Sequence, residues 1–66
     1  MKYKLSKELL HAYNKERVIA VATIQTAITG YVTADHIRAE LELTNEQLVA
    51  IRNDLLADGT IEEVPE

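Results

Sequence analysis

Residues 43–61, LTNEQLVAIRNDLLADGTI, carry the signals that decide the fold. Thr44 and Gln47 have the spacing of a capping box, in which two side chains satisfy free backbone groups at a helix start. Apolar residues then recur at helical spacing on one face, at Leu48, Ile51 and Leu55. Gly59 follows as a stop signal. The stretch predicts a well-capped helix over residues 45–57.

Two more helices are predicted upstream. Ser6 is placed to cap a first helix that ends at Gly30, and Thr33 to cap a shorter one. The inner face of the first helix is expected to consist of Leu9, Leu10, Tyr13, Ala20, Val21, Ile24 and Ile28. Arg17 projects into this stripe, so the segment is either one helix or two with a break near Asn14. The inner positions of the shorter helix are expected at Ala34, Ile37 and Leu41.

Two short segments have the residue types of strands. Tyr31–Val32 follows Gly30, and residues 61–64 alternate Ile61 inward with Glu62 outward before Pro65 stops the run. The sequence therefore predicts a minimal two-stranded β element beside the three helices.

Length and composition limit how the fold is stabilised. The 66 residues suit a single domain, with residues 1–17 as a basic arm or first helix and 18–64 as the core. A core this small typically supplies about 3–5 kcal/mol. The chain has no cysteine, and His11 and His36 do not have the spacing of a ligand pair, so no metal or cofactor is expected. Self-association is the remaining way to add stability.

The sequence also suggests a compartment. The longest apolar run, Val18–Ile24, is far shorter than the roughly 20 residues of a spanning helix, and no signal-peptide core follows the basic start. A cytoplasmic protein is expected.

Charge is distributed unevenly along the chain. Residues 1–17 carry five Lys or Arg against two Glu, a net charge of +3. Residues 18–66 carry two Arg against nine acids, a net charge of −7. Duplex DNA attracts positive protein surfaces, so most of the chain has the wrong sign for nonspecific DNA contact.

The order of these elements resembles the winged helix-turn-helix family over roughly residues 18–64. The family's apolar positions correspond to Leu43, Leu48, Ile51 and Leu55, its turn glycine to Gly59 and its first wing-strand residue to Ile61. The resemblance implies a mainly α fold, a three-helix winged helix-turn-helix with the minimal β element. It does not select a function, because such folds bind DNA, RNA or protein.

The family's groove-reading helix corresponds to residues 45–57, and its outward positions carry few basic groups. Val49 and Ala50 are apolar where DNA-binding members present polar or basic side chains, and Glu46 would meet phosphate. These positions are either ordinary exposed residues or part of a partner-binding face formed by Glu46, Val49, Ala50, Asn53 and Ala57.

The competing hypothesis is a dimeric DNA-binding transcriptional regulator that places helix 45–57 in the major groove. Asn and Gln are able to read adenine in the major groove. The base-contacting residues would then be Asn45, Gln47 and Asn53. The phosphate contacts would come from Lys2, Lys4, Lys7, Lys15 and Arg17.

A homodimer is also predicted from the first helix. A second patch opposite the expected core stripe consists of Val18, Ile19, Ala22 and Thr26. Either the N-terminal arm with Leu5, Leu9 and Leu10 folds over this patch, or a second copy covers it. We favour the dimer because a small core gains from association.

Nothing in the sequence has the pattern of a catalytic site or a phosphate-binding glycine loop, so an enzyme is not expected. The sequence predicts a small regulatory protein that docks on a protein partner in transcription, DNA-processing or defence machinery. Mimicry of DNA by the acidic segment is a third, weaker hypothesis.

Overall fold

The computed structural model describes residues 1–65 and consists of three α-helices. Helix α1 spans Lys7–Thr29, α2 spans Ala34–Leu41 and α3 spans Asn45–Ala57. Helices α2 and α3 are separated by three residues, and α1 contacts both of them. The mainly α class is confirmed, but within residues 1–65 there is no β-strand.

All three predicted helix starts are confirmed. At each start a hydroxyl group accepts a hydrogen bond from the amide three residues further on, at Ser6, Thr33 and Thr44. The capping box is complete, since the Thr44 amide donates to Gln47 Oε1 at 3.0 Å while the Gln47 amide donates to Thr44 Oγ1 at 3.2 Å. These bonds satisfy amides that have no partner inside the helix.

The ends of α1 and α2 use left-handed residues. Gly30 has a φ of 91°, and its amide donates to the Thr26 carbonyl at 2.9 Å. Glu42 ends α2 with a φ of 52°, and its amide donates to the Arg38 carbonyl at 3.0 Å. Glu42 adopts a conformation that is unusual for a residue with a side chain, and it makes the sharp connection into α3.

Helix α1 is continuous, so the alternative of a break near Asn14 is wrong. Arg17 does not interrupt the helix because its side chain lies along the helix surface. Its guanidinium carbon is 5.3 Å from the centre of the Tyr13 ring, and Nη1 donates to Asn14 Oδ1 at 3.3 Å. The helix therefore accommodates this charged residue without a kink.

The core lies where the three helices meet. The positions predicted on α3 and just before it are confirmed as buried. The buried hydrophobic cluster consists of Val18, Ile37, Leu43, Leu48, Ile51 and Leu55. Of the inner positions expected on α2, Ile37 is buried, Leu41 is half-buried and Ala34 is exposed.

The inner face of α1 is the opposite of the one expected. The buried residues of α1 are Asn14, Val18 and Ala22. The large apolar side chains predicted to face the core are instead mostly exposed, at 59% for Leu9, 60% for Ile24 and 72% for Ile28. The prediction of the α1 core stripe was therefore wrong except at Val21, which is half-buried and packs against the core. A broad apolar stripe faces away from α2 and α3.

The predicted two-stranded β element is wrong because the two segments use their polar groups locally. The Ile61 amide donates to the Leu55 carbonyl at 3.2 Å, which folds the chain back onto the end of α3. The Tyr31 carbonyl accepts a hydrogen bond from Thr29 Oγ1 at 2.9 Å. With only a few residues on each side, a strand pair would add little stability.

Candidate protein-docking face

The outer face of α3 contains all five residues predicted to bind a partner. Glu46, Val49, Ala50, Asn53 and Ala57 are all exposed. At 100° per residue they occupy a stripe of about 100° on the side opposite to Leu48, Ile51 and Leu55. We call these five residues the α3 face. It carries a single charged group, on Glu46.

One edge of the α3 face is bordered by two contacts between α1 and α3. His11 Nε2 lies 2.7 Å from Asp54 Oδ2, and Lys15 Nζ lies 3.8 Å from Asp58 Oδ2. His11 and Lys15 are four positions apart, and so are their partners Asp54 and Asp58. The two contacts therefore follow one another in the same direction along both segments. They align the first half of α1 beside α3.

A shallow groove lies between these two helices near their starts. Its walls come from one side of α1 and one side of α3. It is lined by Lys7, Leu10, His11, Asn14, Glu46, Gln47, Ala50 and Ile51. Ala50 and Glu46 therefore belong both to the α3 face and to the rim of this groove.

The turn after α3 fixes Asp58. Hydrogen bonds from the Thr60 hydroxyl and, at 2.9 Å, from the Thr60 amide lower the pKa of the Asp58 carboxyl below its usual value, and Lys15 adds a smaller effect in the same direction. Donors favour the ionised form of a carboxylate. Asp58 therefore remains charged, and available to Lys15, at lower pH than an unperturbed aspartate.

We expect Thr60→Val to raise the pKa of Asp58 partway to its usual value, because the hydroxyl donor is lost while the amide donor remains. A pKa that is lowered in the folded state stabilises the fold above the usual carboxyl pKa of about 3.9, and the contribution disappears as pH falls through the lower, folded-state value. Carboxyl NMR titration measures the change. Thr23→Val is the control, since the Thr23 hydroxyl donates to the Ile19 carbonyl. An unchanged Asp58 pKa in Thr60→Val would contradict the assignment.

The three residues predicted to contact bases are placed differently from one another. Asn45 is exposed at the first position of α3. Gln47 is half-buried, and its side chain is used in the capping box. Asn53 is exposed, and its Oδ1 is 3.4 Å from Arg52 Nη2. Gln47 would have to give up a helix cap to contact a base.

The five basic residues predicted to contact phosphate fall into two groups, exposed residues and residues that interact with other side chains of the chain. Lys2, Lys4 and Lys7 are exposed, before or at the start of α1. Lys15 is paired with Asp58, and Arg17 lies against Tyr13 and Asn14. Only the first three stand in an exposed basic cluster, and they do not lie on α3.

The residues predicted to form a dimer interface lie on the inner side of α1. Val18 and Ala22 are buried at 3% and 7% exposure, Ile19 is half-buried against the core, and Thr26 is exposed. Three of the four are therefore already buried or packed against the core within one chain. The patch is not free for a second copy while the chain keeps this fold.

Sequence reasoning missed a cleft at the opposite end of α1. Residues 30–32 and 59–62, which include Tyr31–Val32 and the start of the predicted second strand at Ile61, line it together with core side chains such as Leu55 and Ile37. Because the segments do not pair, a mostly apolar gap of about 480 Å³ remains between them. The shortness of both segments was the one signal in the sequence that they would not pair.

Two further features bear on the kind of site. Within residues 1–65, no three or more His, Cys, Asp or Glu side chains are grouped as metal ligands would be. In the same part of the chain, no helix has the length and apolar character that a bilayer crossing requires. The fold and site thus define an all-α domain with a weakly charged outer helix face. No family model, curated protein or solved structure matches the chain.

Proposed function

We propose that this chain is a small, non-enzymatic regulatory protein that docks on another protein through the α3 face. The observation that carries the proposal is the exposure of all five residues of that face, with a single charge among them. An exposed helix face with three apolar residues and one charged residue among five suits a protein partner, because the cores of protein interfaces are depleted in charge.

The charge around the α3 face favours a protein partner over DNA. Asp54 and Asp58 lie along one edge, with side chains about half exposed, and Glu46 lies within the face. These acids repel phosphate groups. Arg38 and Arg52 line a groove with Val49 at the other edge. A protein surface with basic groups facing Asp54 and acidic groups facing Arg52 is complementary to this arrangement, and such complementarity speeds and orients association.

The basic groups of residues 1–17 add little to a DNA hypothesis. Lys15 is paired with Asp58, and Arg17 stacks on its own helix, so the exposed positive charge near the start of α1 is confined to Lys2, Lys4 and Lys7. We place the docking partner in transcription, DNA-processing or defence machinery, by the resemblance of the helix order alone. DNA binding is kept as an outcome of the test.

The test compares Val49→Glu with Val64→Glu. Both valines are exposed, at 45% and 66%, and both variants add the same charge, but only Val49 lies on the α3 face. Affinity capture from the source cell should retain a partner with wild type and Val64→Glu and lose it with Val49→Glu. With the purified partner, calorimetry should show affinity reduced at least about tenfold for Val49→Glu alone.

Two results would overturn the proposal. One is a capture in which no protein distinguishes Val49→Glu from Val64→Glu. The other is micromolar or tighter binding to random duplex DNA that falls steeply between low and moderate salt. Circular dichroism is the folding control, since surface changes of this kind usually alter stability by no more than about 0.5 kcal/mol.

A further inference from the structure

The exposed apolar stripe of α1 is a surface feature that the proposed function does not use. Its large side chains are more than half exposed in most cases: Leu9 59%, Tyr13 52%, Ile24 60% and Ile28 72%, with Leu10 at 40%. At 100° per residue they lie within about 100° of one another and opposite to Val18 and Ala22. We call this the α1 stripe.

The residue spacing of the α1 stripe is that of a helix–helix seam. Positions 10, 13, 17, 20, 24 and 27 follow one another at alternating intervals of three and four. This is the a/d pattern that packs one helix against another in a coiled coil. The residues there are Leu10, Tyr13, Arg17, Ala20, Ile24 and Ala27, with Leu9 and Ile28 flanking them.

We propose that a second copy of this chain covers the α1 stripe, with the two α1 helices antiparallel. Along α1, the two-fold axis lies at the level half-way between positions 18 and 19, which is the middle of the helix. In this register Leu10 lies opposite Ala27 of the other copy, Tyr13 opposite Ile24, and Leu9 opposite Ile28. Each large residue thus meets a smaller or branched one, and the whole of α1 is used.

Arg17 fits this register. It lies opposite Ala20 of the other copy, which leaves space for its methylene groups. Its guanidinium is already directed toward Tyr13 and Asn14 of its own helix, so the charge is held at the edge of the seam. Long basic side chains commonly pack their stems on apolar surface while the charged end remains solvated.

Charge selects the antiparallel arrangement. Residues 1–17 have a net charge of +3, and the rest of α1, residues 18–29, has no charged side chain. A parallel pair would bring two +3 segments together and set Arg17 against Arg17. An antiparallel pair places each basic segment beside the end of the other α1, whose last turn has no basic residue to offset its negative dipole.

The exposed area is suitable for a small dimer. The five large side chains expose roughly 500 Å² per chain, at the upper end for an apolar patch on a soluble monomer. Ala20, Ala27 and the stem of Arg17 bring the area closer to the 800 Å² per partner or so of a standard interface. The N-terminal residues do not cover the stripe, since its large side chains stay exposed in the structure that includes residues 1–6.

The mass in solution tests the dimer. Sedimentation equilibrium should give about twice the chain mass of 7.4 kDa for wild type. Ile24→Glu should raise the dimer dissociation constant about a hundredfold or more, because the change occurs twice in each dimer. Val49→Glu should leave the dimer intact, so failure of this inference is separable from failure of partner docking. A wild-type mass of one chain would overturn the inference, as would an unchanged mass for Ile24→Glu.

Cysteine cross-linking tests the register. The chain has no native cysteine, so each introduced thiol is unique. A mixture of Leu10→Cys and Ala27→Cys proteins should form the mixed disulfide under mild oxidation. Leu10→Cys alone should remain uncross-linked, because its two copies would lie roughly 25 Å apart along antiparallel helices at 1.5 Å per residue. A Leu10→Cys homodimer disulfide without the mixed product would overturn the antiparallel register.

Discussion

We expect Leu55→Ala to leave most of the protein unfolded at room temperature. Leu55 has no exposed surface and lies in the core with Ile51 and Val18. Truncating a buried leucine costs about 2–5 kcal/mol, the sum of lost apolar burial and an unfilled cavity. A core of this size supplies about 3–5 kcal/mol, so the loss is comparable to the whole stability. Urea denaturation followed by circular dichroism measures it.

Leu5→Ala is the matched control for this prediction. Leu5 is 54% exposed and precedes α1, so the same truncation removes few contacts. Its free energy of unfolding should stay within about 0.5 kcal/mol of wild type. If both variants unfolded at the same urea concentration, Leu55 would not be the centre of the core.

Local signals explain why the helix starts were predictable from sequence. A capping residue acts on an amide only three positions away, as Thr44 does on Gln47, so its effect depends little on the rest of the fold. The buried face of α3 was also predictable, because Leu48, Ile51 and Leu55 recur at helical spacing on one side. Thr33 and Ser6 succeeded for the same reason.

The inner face of α1 was not predictable from apolar content. The apolar content of α1 favoured the stripe with the larger side chains as the inner face, whereas the fold buries a narrower one that contains Asn14, Val18 and Ala22. A better signal was the spacing of polar residues. His11 and Lys15 are four positions apart on α1, and the residues they contact, Asp54 and Asp58, have the same spacing. Counting hydrophobic residues does not detect such pairs.

The β element failed for a different physical reason. The directions predicted from the alternation in residues 61–64 were correct in part, because Ile61 packs toward the core and Glu62 is exposed. A side chain facing the core does not require a strand, and here the Ile61 amide satisfies a carbonyl at the end of α3. Short segments therefore follow whichever hydrogen-bond partner is nearest.

The α3 face was predicted correctly as a surface, since its residues are opposite to a buried stripe that was itself well defined. What it binds depends on groups that come from α1. The pairing of Lys15 with Asp58 joins residues 43 positions apart, and no local pattern in α3 shows it. The charge that a partner meets therefore depends on the folded arrangement of two helices.

The orientation of α1 gives the second large expected effect, in a comparison of Val18→Glu with Ile24→Glu. Val18 is 3% exposed, so Val18→Glu would place a carboxylate in the apolar core and should abolish cooperative unfolding. Ile24 is 60% exposed on the opposite side of the same helix, so Ile24→Glu should retain the helical circular dichroism spectrum and a cooperative transition. Both variants place the same side chain in the same helix, which removes helix propensity as a cause of the difference. A folded Val18→Glu together with an unfolded Ile24→Glu would show that α1 packs through its other face, and the α1 stripe would then be unavailable for a second copy.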